Sequence, residues 1–600
     1  MKGTRFYLLG SMVFFVILIP LCINGRYHIY DFVYELIKGP VDTKNTLDSL
    51  EFQKDSSWNE SNINVDCKLD EILEDVDNQK EIIEPSDTYV LKPNKSFYSQ
   101  VDKDKDGLPS ITYEVRNDFD LKGGTVNLPA HIKLSFKGGV LHNGTLKGDG
   151  TNILASNNVI FDNVSFEGSW NVKNIFSSWF SDINEVNALK KLFVLTSDYV
   201  QNIVKISKGH YYVKAGYNGD EIILVKSKTS IQLDGTIELM ANSFDNYQIF
   251  RIQEKNGISI GGLGSIIGDR KNHKGSSGES GHGIVLRQSS NVHIKGLTLT
   301  DFWGDAIAIG GSVGIPCKNV VVDSCIIKRA RRNGISIVYA DNYKVSNCLF
   351  EGNEGTSPER AIDIEPNPGC FCTNGILQDN SIHGKYGIST ALEGRGGNYI
   401  KNLLIKGNYI DCNAGEYSTP YGRAITLLGD PEDVFAINNT IRDGGLHADS
   451  STPAKNILIK GNKITGKVEI VNLQCIDNIF NSLAIQCTSC LFTGNTVNSN
   501  SLNSDGDGET ALVSNSSIVK NNVFNMKGDK YYFDCPITSR KNSEISNNII
   551  NISNETTVRY LVRVMSGTET VIENNKCSKN LSVNDMGIGT VVKYCDNENR

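Results

Sequence analysis

Residues 282–286 read HGIVL, and the same five-residue form returns as DAIAI at 305–309, NGISI at 333–337, RAIDI at 360–364, YGIST at 386–390 and RAITL at 423–427. The starts lie 23, 28, 27, 26 and 37 residues apart, which is the spacing of a repeated strand joined by loops of variable length. A second β-rich segment follows each, among them NVHIKGLTL (291–299), NVVVDSCII (319–327), NYKVSNCLF (342–350), NGILQDNSI (374–382), NLLIKGNYI (402–410) and NILIKGNKI (456–464). Aligned two places before the last apolar residue, this series puts Leu297, Cys325, Cys348, Asn380, Asn408, Asn462, Asn522, Asn548 and Asn575 at one recurrent position. Asparagines in such a column, flanked by β-branched residues, are the pattern of stacked side-chain amides that satisfy one another along an axis. A single repeat cannot bury its own apolar face, whereas stacked repeats share a narrow core. The reading is therefore an all-β solenoid of parallel strands, with about fifteen turns.

The β-rich texture starts near Gly124 and is interrupted by one short helix near 183–200 (DINEVNALKKLFVLTSDYV). The expected division is an apolar N-terminal segment at 1–23, a tether and N-terminal cap at 24–124, the coil at 125–500, and less regular C-terminal turns or a cap at 501–600. Phe6–Ile23 is an uncharged apolar run behind Lys2 and Arg5, which fits a signal peptide or a signal anchor. It predicts an extracytoplasmic protein, secreted or anchored at the cell envelope, with membrane contact only through this segment. The stretch after it, including EILEDVDNQKEIIE (71–84), carries no visible chemistry.

Lys plus Arg number 60 against 68 Asp plus Glu, for a net charge of −8. That balance argues against a nucleic-acid partner. The 14 cysteines show neither a dense disulfide framework nor paired zinc-ligand spacing, so no metal is expected from them. Cys325 and Cys348 fall at equivalent places of consecutive repeats and read as reduced, stacked interior sulfurs. Asp102, Asp104, Asp106 and Gly107 copy the opening of a calcium loop, but Tyr113 stands where the bidentate Glu belongs. GGLGSIIGD (261–269) lacks the strand, turn and helix of a nucleotide loop, so no cofactor is expected. Nothing in the pattern sets an oligomeric state.

In the first strand series the third-position Ile and the fifth residue point inward, so the second, fourth and sixth face out by the period of two. The fourth-position row is Val285, Ala308, Ser336, Asp363, Ser389 and Thr426; the sixth includes Arg287 and Glu365. Asp363 and Glu365 are thus expected on one exposed face with Cα atoms about 6.6 Å apart, a pair able to divide the work of acid and base or nucleophile on a sugar. The second position is always Gly or Ala, which either opens a shallow trough beside the carboxylates or meets the demands of turn packing.

Loops entering these strands share one edge. They bring together Asp269, Arg270, His273 and Glu279, then Asp301, Trp303 and Asp305, then Arg329, Arg331 and Arg332. Later turns add Glu359, Arg360, Tyr386, Tyr417, Tyr421 and Arg423. Aromatic rings stack on sugar faces, Arg binds carboxylates and hydroxyls, and acids exchange protons, so the mixture suits a polysaccharide or glycan. Asp363 and Glu365, with Asp305 in reserve, are the catalytic candidates; Asp269, Arg270, His273, Glu279, Trp303, Arg332, Arg360, Tyr386 and Arg423 are the substrate-binding ones.

The motifs GDRKNHKGSSGESGHGI (268–284), FWGDAIAIG (302–310), RRNGISI (331–337) and RAIDIEPN (360–367) resemble those of bacterial right-handed parallel β-helix proteins of the pectate-lyase-like superfamily. The resemblance covers about residues 125–480 and implies that fold together with a carbohydrate-active or glycan-associated surface. Polygalacturonases share Gly281-His282-Gly283 but their other elements are missing here, and no calcium-dependent lyase motif is evident. The preferred expectation is a glycoside hydrolase. The alternatives are a polysaccharide lyase, with Arg332 or Arg360 abstracting a proton beside a uronate carboxylate, and a non-catalytic surface adhesin.

Overall fold

The computed structural model describes residues 87–597 apart from 102–110, 129, 131, 217–221, 312, 393–395, 413–422, 482–484, 500–509, 528–531, 566–568, 588 and 594–595. The Phe6–Ile23 segment, most of the tether, the Asp102–Gly107 loop, Tyr417 and Tyr421 lie outside the described residues.

Parallel strands coil into three long sheets that share one apolar interior, one of 16 strands, one of 15, and a third that runs from Asn174–Phe176 to Val591–Lys593. The corners explain the sequence texture. Asp379 (φ 53°), Asn438 (54°), Asp477 (55°), Asn521 (56°), Asn547 (54°) and Asn574 (53°) each stand immediately before an inward Asn, and Gly407, Gly461 and Gly494 do the same at φ near these values. One left-handed residue turns the chain from strand to strand, and Asn, Asp and Gly tolerate that conformation best. The inward Asn that follows closes the corner. Asn380 Nδ2 donates to Asn408 Oδ1 (2.9 Å), Asn408 to Asn439 (2.9 Å), Asn439 to Asn462 (3.0 Å), Asn462 to Asn478 (2.9 Å), Asn478 to Asn495 (3.0 Å), Asn495 to Asn522 (3.1 Å), Asn522 to Asn548 (2.9 Å) and Asn548 to Asn575 (2.8 Å). The ladder is as expected, and it also contains Asn439, Asn478 and Asn495, which the apolar alignment passes over.

The 15-stranded sheet positions the candidate site through eight consecutive strands: β1 (Ser280–Arg287), β2 (Ile307–Ile309), β3 (Ile335–Ile337), β4 (Arg360–Ile364), β5 (Tyr386–Thr390), β6 (Ile425–Leu427), β7 (Leu446–Asp449) and β8 (Val468–Val471). The register pairs Val285 with Ala308, then Ser336, Asp363, Ser389 and Thr426, in the order read from sequence, and continues through His447 to Glu469. Ile284, Ile307, Ile335, Ile362, Ile388 and Ile425 are fully buried beneath this row.

The small second-position residues are explained by packing and leave no trough. A Cβ on Gly283 would meet the Phe302 ring at 2.6 Å, one on Gly334 the Ala361 carbonyl at 2.6 Å, and one on Gly387 the Ala424 carbonyl at 2.2 Å. Ala306, Ala361 and Ala424 are themselves part of the buried core. The expected helix is shorter than its sequence pattern: Lys190–Val194 is helical and buries Leu192 and Phe193, with turns before it. Parallel strands already occur at Asp87–Val90 and Ile111–Val115, within the stretch read as tether and cap. All three sheets extend beyond residue 510, through Asn584–Asp585, Val591–Lys593 and Asp596–Asn597. Eleven cysteines among the described residues are free and buried, including Cys325 and Cys348.

Candidate functional site

Asp305 enters β2, and its carboxylate sits among donors supplied by the next turn. Arg332 Nη1 donates to both oxygens (3.3 and 3.1 Å), the Asn333 backbone N–H to Oδ1 (3.0 Å) and the Ser336 hydroxyl to Oδ2 (2.9 Å). On the other side the Asp305 N–H donates to His282 Nδ1 (3.1 Å). His282 Nδ1 is therefore the acceptor nitrogen of a neutral ring, and burial pushes this histidine's pKa down, with Asp305 opposing.

Asp363 lies one turn beyond Ser336 in the same column. Ser389 Oγ donates to its Oδ1 at 2.5 Å, and Asn333 Nδ2, which also donates to Ser336 Oγ at 2.9 Å, reaches its Oδ2 at 3.4 Å. The expectation of an exposed Asp363 is corrected here: it is 3% exposed and Asp305 is 2% exposed. The row faces away from the apolar core, yet Asp363 is enclosed with Ser389 and Asn333 as hydrogen-bond partners and with Arg332 and Arg360 as charged neighbours. Burial pushes the Asp363 carboxyl up; Ser389, Arg332 and Arg360 pull it down, and Asp305 adds to the rise.

Glu365 follows the end of β4, half-buried, with its N–H donating to the Ile337 carbonyl at 3.0 Å. Arg360, at the start of β4, lays its guanidinium over the Tyr386 ring, 4.3 Å from its centroid. Further along, Arg423 bonds His447 and lies 3.7 Å from Glu469, and His447 lies 3.3 Å from Glu469. Asp305, Arg332, Asp363, Arg360 and Tyr386 thus form one group, and Arg423 begins another on the following turns. Asn333, Ser336, Ser389, His447 and Glu469 were missed as functional candidates. Ser336 and Ser389 were visible in the outward row; the LHAD turn that carries His447 keeps a small second residue, Gly445, but lacks the third-position Ile, and the VEIV turn that carries Glu469 has Lys467 in the second position.

The upstream candidates form a different structure. His273 Nδ1 is 2.8 Å from Asp269 Oδ2, and Tyr247 and Asn242 donate to the same carboxylate. The His273 ring stacks on Trp303 at 4.0 Å, and Arg331 covers that ring at 3.8 Å. The His273 and Asp269 side chains are fully buried in this layer, and His273 Nε2 has no hydrogen-bond partner among the described residues. Arg270 donates to the Arg329 carbonyl at 2.8 Å, while Arg329 pairs with Asp301 at 2.6 Å. Glu279 is the exception, with an exposed carboxylate 3.4 Å from Arg332 Nε. Among the described residues, no group of three or more His, Cys, Asp or Glu side chains is placed to hold a metal ion.

The family described as right handed beta helix region matches residues 217–359 and 256–441. Two Bacillus subtilis (strain 168) relatives match: the uncharacterized protein YclG, 30% identical over 299 residues (43% of this chain, 48% of YclG), and the SPbeta prophage-derived uncharacterized protein YorA, 26% identical over 342 residues (47% of this chain, 57% of YorA). The chain spans about half the length of these curated relatives. Among solved structures, the tailspike protein of E. coli bacteriophage HK620, in complex with a pentasaccharide, is 14% identical with a TM-score of 0.43, over 65% of this chain and 72% of the tailspike.

Proposed function

We propose that this chain, a right-handed parallel β-helix of the pectate-lyase-like type, is an extracytoplasmic glycoside hydrolase acting on a complex polysaccharide or host glycan. The observation that carries the reading is the pair of buried carboxyls in unlike surroundings. Asp363 is shifted towards its protonated form by burial and by Asp305, which suits a general acid protonating the glycosidic oxygen. Asp305, serving as acceptor for Arg332, Ser336 and the Asn333 N–H, is suited to act as the anionic partner, base or nucleophile. Unlike hydrogen-bond surroundings of this kind let two carboxyls divide acid and base work on a sugar. Tyr386 offers a ring for the sugar, held in place by Arg360.

The depth of both carboxyls favours one second reading, a glycan-binding adhesin in which the same network is only a rigid floor. Reducing-end and ultraviolet product assays of the full chain on a broad polysaccharide panel separate the two. A hydrolase releases reducing ends without unsaturated products and loses about 10²-fold or more of its rate in Asp363→Asn and Asp305→Asn. Loss in Glu365→Gln but not in Asp305→Asn would move the partner role to Glu365. Unsaturated products would instead make the chain a lyase, and binding without turnover an adhesin.

A further inference from the structure

The segments that leave β2, β4 and β5 meet at the corner where the chain passes into the third sheet, at the far end of these strands from the entering loops. Apolar side chains face water there: Val313 is 65% exposed, Ile315 61% and Tyr399 47%, and Pro368 is exposed as well. The segments are nevertheless tied to one another. Asn367 Nδ2 donates to the Gly311 carbonyl (3.1 Å), Asn398 Nδ2 to the Pro366 carbonyl (2.8 Å) and the Tyr339 hydroxyl to the Gly314 carbonyl (3.1 Å). An apolar surface fixed before contact and rimmed by polar groups is where ligands and partners dock.

A ladder of rings narrows what docks here. Tyr339, Phe371 and Tyr399 stand immediately before the inward Ala340, Cys372 and Ile400 on three successive turns, so all three point outward. Tyr339 meets Phe371 edge-on (5.1 Å, 90°), and Phe371 stacks on Tyr399 (5.3 Å, 18°). On the next turn this place falls to Asp430, two residues ahead of Glu432, the partner of Lys401. Asp430 has a left-handed backbone (φ 54°), and its carboxylate is drawn off to Ser450 and Ser451. The ladder therefore stops at Tyr399. No second ring among the described residues lies against it, and the face away from Phe371 is open. The nearby charges are already balanced, Lys401 by Glu432 at 2.7 Å and Asp430 by Lys455 at 3.7 Å, so the ledge asks for an uncharged ligand with the footprint of one ring. A pyranose has that form, an apolar C–H face with hydroxyls around its edge, and an exposed tyrosine ring matches it. We infer that Tyr399 is a stacking platform for a neutral sugar unit, a second glycan site at the exit corner, apart from the carboxylate row. The inference rests on the carbohydrate reading above and extends it. Strands β4 and β5 carry Asp363 and Tyr386 and lead on into Phe371 and Tyr399, so a polymer lying across these turns reaches both sites.

Affinity electrophoresis of the full chain through gels containing xylan, galactomannan, a soluble β-glucan or dextran tests this without requiring turnover. At least one of these neutral polymers is expected to retard the chain, and Tyr399→Ala to weaken that affinity about fivefold or more. Tyr399→Phe keeps the ring and should keep most of the affinity. Tyr399 is nearly half exposed, so its truncation should spare the fold, which an unchanged melting temperature checks. Retardation that Tyr399→Ala leaves as it was overturns the platform and leaves the carbohydrate reading intact. Self-association in sedimentation that Val313→Asp abolishes would assign the surface to a second copy of the chain and overturn the platform as well. A chain that no neutral polymer retards overturns the platform; the carbohydrate reading then survives if acidic polysaccharides retard it, and falls too if none does.

Discussion

The behaviour of Asp363 under titration follows from its surroundings. A carboxyl whose folded pKa lies above its unfolded value of about 3.9 binds its proton more tightly in the native state. It therefore favours the fold below that value and costs stability as pH rises through the folded pKa. Burial and Asp305 place Asp363 in this class. Asp363→Asn removes the titration, so the melting temperature of the variant relative to the parent should move in the variant's favour between about pH 4 and pH 7. A difference that stays flat would mean that the fold leaves this carboxyl unshifted, and one that moves the other way that the native state stabilises the anion. At the second repeat position the outcome is set by space. Gly387→Ala puts a Cβ 2.2 Å from the Ala424 carbonyl, and overpacking of this kind costs about 1–3 kcal/mol. Gly311→Ala, whose new Cβ would first meet flexible Arg287 atoms at 3.5 Å, should stay within about 0.5 kcal/mol. Denaturant midpoints of the two variants decide the matter, and equal midpoints would reinstate the small residues as a ligand trough.

At the scale of the strand and its corner, stability is shared along the asparagine ladder. Asn462 Oδ1 accepts from both the backbone and the side-chain nitrogen of Asn439, while its own Nδ2 serves the Ala436 carbonyl. Asn462→Ala strands two buried donors and an acceptor, and is expected to cost about 2–4 kcal/mol. Asn380 heads the ladder and accepts only the Cys348 N–H, so Asn380→Ala should cost clearly less; urea midpoints that reverse this order would refute the ladder as a stabilising element. The corners are also where the sequence was most and least legible. The Asn, Asp or Gly before each inward Asn could be read directly, because left-handed backbone restricts residue choice. Asn439, Asn478 and Asn495 also stand two places before an apolar residue, Ile441, Phe480 and Val497, so the same spacing marks them once it is applied to every turn. The fourth-position row was legible to the residue, since parallel register repeats the same alternation every turn. Its burial was not: whether Asp363 meets water depends on side chains that other turns supply, Asn333 and Ser389 among them, which no single-strand periodicity encodes.

In the coil as a whole, each turn packs only on its neighbours, so the interior is built from identical small decisions repeated along the chain. The cysteines report on that interior. Eleven of the 14 are buried and unpaired, leaving Cys22, Cys67 and Cys595 outside the described residues. Burial pushes the Cys412 and Cys490 thiols up to about 12 and Cys535 up to about 11. Thiol reagents attack the thiolate, so depth and protonation protect these side chains together. Under native conditions at neutral pH no more than three thiols per chain should react with an aromatic disulfide reagent over minutes, and at least eleven should react in strong denaturant without reductant. A larger native count would mean that neighbouring turns part to expose the core. A smaller denatured count would place disulfides among side chains that the coil holds as single, stacked sulfurs.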